Sequence, residues 1–177
     1  AEAIAILKLS CRTCSEIHDL SSMSLDCPLP VWIECISEAE RPTRCEMLMN
    51  DLCVLDGEHF FIRGELQIPV PALDESLVLA VWVSLSEKNF RRMLEFWDSP
   101  SRLNEPPSFG WFSSQLAGFP DTVNLKSRVH MTEVGTRVRI DIEPTEHPLA
   151  VACHYGISSE DLESLVATLI HGGEQEH

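Results

Sequence analysis

Val123-Asn124-Leu125-Lys126-Ser127-Arg128-Val129-His130-Met131, a short turn ending at Gly135, then Arg137-Val138-Arg139-Ile140-Asp141-Ile142: apolar and polar side chains alternate on both sides of the turn. Successive side chains of a strand point to opposite faces, so this pattern predicts a β-hairpin with one buried face. Val123, Leu125, Val129, Met131, Val138, Ile140 and Ile142 fall on the inner face, whereas Asn124, Lys126, Arg128, His130, Arg137, Arg139 and Asp141 fall on the outer one. If the turn pairs Met131 with Thr136, Arg128 faces Arg139 and His130 faces Arg137. Like charges directly opposite destabilise a sheet unless acidic groups sit between them.

Upstream, His59 to Val70 predicts one or two further strands, with Leu66 and Ile68 inward. Leu77 to Val83 is apolar almost throughout, as a strand covered on both faces must be. Leu149 to His154 reads as another strand. Two helices interrupt the pattern. Ser84-Leu85-Ser86-Glu87 has the form of a capping box, and Phe90, Met93, Leu94 and Trp97 follow at helical spacing. From about Ser158 to His171, a second Ser/Asp cap precedes the stripe Leu162, Leu165, Val166, Leu169 and Ile170, with Gly172 and Gly173 as the stop. Strands joined by short loops with two helices predict an α+β fold: a mainly antiparallel β-sheet with two packed α-helices. Residues 11–45, rich in Cys, Ser and Pro, read as an irregular segment beside a sheet-and-helix core over 46–171, within one domain spanning 1–177. Ser99 to Ser108, with Pro100, Pro106 and Pro107, reads as a long loop.

Thirteen basic against 28 acidic residues give a formal charge of −15. Such a field repels phosphate, which argues against nucleic acid or an anionic membrane and favours a basic protein partner. Seven cysteines in 177 residues show no paired framework, and a chain of this length needs no disulfides to fold. Free thiols imply a reducing compartment, hence a cytoplasmic location. The apolar run Ile4 to Leu9 is too short for a secretory signal, and no stretch is long enough to span a bilayer.

Three constellations could carry chemistry. Cys11-Arg12-Thr13-Cys14 has the spacing at which two thiolates grip one zinc from a single turn, with His18 four residues beyond. A closed site needs two more ligands, from His18, Cys27, Cys35, Cys45 or Cys53; idle, packed thiols are the alternative. Cys53, Asp56, Glu58 and His59 hold the parts of a thiol nucleophile. Asp56-Gly57, however, reads as a turn, and Cys53 between Leu52 and Val54 reads as a small buried residue. Finally, Lys126, Arg128, Arg137 and Arg139 on the hairpin are either neutralised by the chain's own carboxylates or offer a site for an anion or an acidic partner.

Several blocks taken together resemble a known family. They are Cys11-x-x-Cys14 with His18, Asp51-Leu52-Cys53 through Asp56-Gly57-Glu58-His59-Phe60-Phe61-Ile62-Arg63-Gly64 to Ile68-Pro69-Val70, and Val81-Trp82-Val83. Phe109-Gly110-Trp111, Gly118-Phe119-Pro120-Asp121-Thr122 and Glu143-Pro144-Thr145-Glu146-His147-Pro148 complete the set. In these the chain resembles the uncharacterised bacterial family called domain of unknown function 2199. The resemblance implies a bacterial, cytoplasmic protein and supplies no activity and no site. The family pattern often has Gly after the second Cys, where this chain has Ser15; Gly permits the tight turn of a metal knuckle. The expected function is a non-enzymatic protein-binding module, of inhibitor or immunity type, acting through its acidic surface or the 99–108 loop. A structural zinc-binding domain and a small Cys/His-dependent enzyme are the alternatives.

Overall fold

The computed structural model describes residues 8–10, 14–19 and 27–171. A small hairpin pairs β1 (Lys8–Ser10) with β2 (Ile17–Asp19). Two four-residue helices follow, α1 (Val31–Glu34) and α2 (Arg41–Arg44). The main sheet is built from β3 (Cys45–Met49), β4 (Leu52–Leu55), β5 (His59–Val70), β6 (Glu75–Leu85), β7 (Ser108–Phe112), β8 (Lys126–His130) and β9 (Val138–Ile142). Three longer helices complete the chain: α3 (Glu87–Phe96), α4 (Pro148–Tyr155) and α5 (Ser159–His171).

Neighbouring strands pair antiparallel in chain order from β3 to β9. One parallel pairing, Gly64 to Leu66 against Val138 to Ile140, then joins β9 back to β5. The mainly antiparallel sheet is therefore a closed five-stranded barrel, β5 to β9, with β4 and β3 continuing off one edge of β5. The mainly antiparallel pairing is as expected; closure into a barrel was not foreseen. Closure removes the free edges of those strands.

Gly64 sits where β5 exchanges β4 for β9 as its partner. A Cβ there would meet Val138 Cγ2 and the Val138 carbonyl oxygen at 2.7 Å. Only glycine lets the two backbones approach that closely.

Alternation along β5 divides the molecule into two cores. Phe60, Ile62, Leu66, Ile68 and Val70 point into the barrel, where they join the inner rows of β6, Val129, Val138 and Ile140. Phe90 and Met93 of α3, Leu149 of α4 and Leu162, Leu165 and Val166 of α5 pack on the same cluster. On the outer face, Phe61, Cys53, Leu55 and Trp82 pack against Ile33 and Ile36 of the N-terminal segment. This explains the unbroken apolar character of β6: Leu79, Val81 and Val83 fill the barrel, while Trp82 is buried behind it.

The remaining expectations fared unevenly. Helix α5 begins beside Ser158, whose hydroxyl accepts from the Asp161 amide at 3.1 Å. The cap of α3 is Ser86, accepting from Asn89, and not Ser84, because pairing with Trp111 keeps Ser84 in β6. Leu149 to His154 is helical, not a strand. Pro148 at the first helical position and the His147 ring, which accepts from the Leu149 amide at 3.1 Å, start it. Among the described residues, five α-helices thus replace the expected two. The 11–45 segment, expected to be irregular, carries β2, α1 and α2 among its described residues. Among those residues, no helix is long and apolar enough to cross a membrane.

Candidate functional site

Strand register lines up Cys53, Phe61, Ser84, Trp111 and Lys126 as one row across β4 to β8 on the outer face. The N-terminal segment is tied over this row by backbone bonds. The Cys27 amide donates to the Ala80 carbonyl, and the Val31 amide to the Ser113 carbonyl, both at 2.9 Å. The Trp82 indole N–H donates to the Cys27 carbonyl at 2.9 Å. Arg41 then satisfies the carbonyl end of α1, reaching the Ile33, Glu34 and Ile36 oxygens.

Anchoring α1 in this way leaves a cleft of about 440 Å³ between it and the sheet. Phe61, Leu55, Ile36 and Ser84 line it, with Trp32 from α1 and Trp111 from β7. Both indoles are strongly exposed, at 46% and 43%. His59, Asn124 and a bidentate Arg44–Asp56 pair complete the lining. The guanidinium, by hydrogen bonding, holds the Asp56 carboxyl below the usual carboxylate range, and the carboxylate in turn raises Arg44. Glu40 adds a second carboxylate to Arg44 at 4.0 Å.

The residues singled out from the sequence lie elsewhere or play other parts. Cys11 lies outside the described residues. Cys14 is exposed in the loop between β1 and β2, and His18 belongs to β2. Ser15, next to Cys14, has φ of 60°, the left-handed conformation that glycine adopts freely. No group of three or more His, Cys, Asp or Glu suited to a metal is assembled among the described residues. Cys53 is buried in the outer core, with its thiol against Cys45, and burial raises its pKa first of all. No hydrogen bond joins it to His59 or His147; the His147 Nε2 instead lies 2.8 Å from the Asp121 carbonyl oxygen. A thiol so placed does not ionise readily.

The basic hairpin face is paired within the chain. The register differs by two residues from the one expected, so Arg128 lies opposite Asp141 and His130 opposite Arg139. Arg128 reaches Glu143 at 3.1 Å, and Arg139 reaches Asp141 at 3.4 Å. His130 Nε2 lies 2.7 Å from the same Asp141 carboxylate. Arg137 and Arg63 share Asp51, at 3.1 and 2.9 Å. Lys126 is exposed at the end of β8. Arg128 and Arg139 do line a groove of about 800 Å³ beside α4, together with Asp141 and Glu143.

The 99–108 loop is likewise pinned. Arg102, 1% exposed, donates to the Trp97 carbonyl at 2.8 Å and stacks on the Trp97 ring. Glu105 takes a bidentate bond from Arg92.

Residues 10–157 match the family described as uncharacterized protein conserved in bacteria (DUF2199). The chain belongs to that family. The expected family membership is thus established over most of the length, and with it a kinship to bacterial proteins. No curated protein and no solved structure matches the chain. Trp32 and Trp111 were not among the residues expected to form a site. Trp32 lies in no motif and Trp111 only in the Phe109-Gly110-Trp111 block, which names no site; strand register and the docking of α1 bring the two to one cleft.

Proposed function

We propose that this DUF2199 protein is a non-enzymatic binding module of the bacterial cytoplasm that engages a basic protein partner, as an inhibitor or immunity-type protein would. One observation carries the reading. The formal charge is −15, and Arg44, Arg63, Arg91, Arg92, Arg128, Arg137 and Arg139 all pair with the chain's own carboxylates. With 28 acidic against 13 basic residues, carboxylates stay in surplus after these pairings, so the outward field is acidic and steers basic surfaces toward the protein. The pinned 99–108 loop gives less support than its length suggested. Immobilised protein should retain basic proteins from a host lysate and release them as salt shortens the Debye length. Retention that ignores salt, or that favours acidic proteins, would overturn this reading.

A second reading, a structural zinc site anchored by Cys11, Cys14 and His18, gains support from one detail. Ser15, directly after Cys14, adopts the left-handed backbone that glycine takes freely, although its side chain disfavours it. Zinc there would tie the β1–β2 hairpin together. Metal analysis of protein purified without chelator tests it: about one zinc per chain is expected, as one such site would hold. Absence of zinc from both wild type and protein refolded with zinc would overturn it.

A further inference from the structure

Two of the chain's four tryptophans already carry one of its own arginines: Arg63 lies 5.1 Å from the Trp82 ring centroid, and Arg102 the same distance from Trp97. Among the described residues no such cation lies over Trp32 or Trp111, which are exposed and line one cleft floored by Phe61. Arg44, the one guanidinium among the described cleft-lining residues, is shared by Asp56, which also lines the cleft, and by Glu40 just outside it, while Arg41 is taken up by the carbonyl oxygens of α1, so acceptor carboxylates outnumber Arg44 at this edge. We infer that the cleft between Trp32 and Trp111 receives an arginine or lysine side chain of the basic partner, held between indole faces with its charge toward Asp56 and Glu40.

The physical case combines three contributions. An indole face attracts a cation, more strongly for arginine, whose plane also stacks on the ring. The aliphatic stem packs on the exposed indoles of Trp32 and Trp111, removing apolar surface from water. The long-range acidic field brings the basic partner in, whereas the cleft supplies a local anchor of the kind that dominates interface energetics. Lys126 stands opposite Trp111 on β8 but is not among the cleft-lining residues.

This inference rests on the basic-partner reading, and the test separates the two. Hepta-arginine amide serves as probe and hepta-citrulline amide, its uncharged counterpart, as control, with binding measured calorimetrically across a salt series. Wild type should bind hepta-arginine with strong salt dependence and ignore hepta-citrulline. The Trp32→Ala/Trp111→Ala double variant should bind at least about tenfold more weakly, with its salt slope unchanged. Trp32→Phe/Trp111→Phe, which preserves shape but weakens the ring's negative face, should fall between. Near-ultraviolet circular dichroism checks that both variants stay folded. Salt-dependent binding that is indifferent to both pairs of substitutions overturns the cleft inference alone. Equal binding of hepta-citrulline overturns it as well. No binding of hepta-arginine at low salt overturns the basic-partner reading together with it.

Discussion

Replacing Gly64 by alanine should break the barrel at its one parallel seam. The seam consists of three residue pairs, Gly64–Val138, Glu65–Arg139 and Leu66–Ile140. An alanine Cβ would lie 2.7 Å from both Val138 Cγ2 and the Val138 carbonyl oxygen, and 2.9 Å from Ile140 Cδ1. Two of these atoms belong to side chains that could turn slightly. The carbonyl is part of the backbone, so relief requires β9 to move away from β5. Inserting one methyl group into a tight core typically costs about 1–3 kcal/mol, and backbone contact places this substitution toward the upper end. A loss of about 2–3 kcal/mol corresponds, for a chain of this size, to roughly 5–10 °C in midpoint temperature. Urea unfolding would measure it, with Gly57→Ala as comparison. Gly57 has φ of +69° but no atom within 4 Å of a built Cβ. Its substitution should therefore carry only the left-handed backbone penalty, about 1 kcal/mol. If Gly64→Ala costs no more than Gly57→Ala, with an unchanged denaturant slope, close packing at the seam is refuted.

Three further outcomes are expected. Ser15→Gly should relieve a strained left-handed residue, about 1 kcal/mol, and strengthen zinc retention in a chelator competition, whereas Cys14→Ser should abolish that retention. Asp56 has a lowered folded-state pKa, so its contribution to stability is present above the unfolded value and lost as pH falls through the folded one. Asp56→Asn should accordingly flatten the loss of urea resistance below about pH 4, where wild type declines; identical acid limbs would contradict the ion pair's role. In native protein at mild alkaline pH, iodoacetamide should label the exposed cysteines Cys14 and Cys35 first. Cys53, and Cys153, whose pKa burial raises to about 12, should resist until the protein unfolds. Rapid native labelling of Cys53 would reopen the case for a reactive thiol.

Legibility in the sequence followed the range of the interactions involved. Period-two alternation located the barrel's inner rows at Leu66, Ile68, Val129, Val138 and Ile140, because strand geometry is local and one face had to be apolar. The stripe and cap of α5 were equally local. Failures began where two local signals competed. At Leu149 to His154 an apolar run suited strand or helix, and Pro148 at the first position decided for helix. At Ser84 and Ser86 either hydroxyl could cap, and pairing with Trp111 settled which one did. Electrostatic pairing was legible only in principle: surplus carboxylates had to neutralise the hairpin arginines, but Asp51 meets Arg137 across a long stretch of chain.

By itself the sequence determined the acidity, the apolar faces of β5, β8 and β9, the stripes of α3 and α5, and the family. Those depend on composition, on neighbours a few residues apart, or on matching blocks. Only the tertiary structure decided that the sheet closes at Gly64, that Arg137 and Arg63 share Asp51, and that Trp32 and Trp111 share one cleft. Each of these is a meeting of residues distant in the chain, fixed by strand register and by the docking of α1, and no local propensity encodes such a meeting.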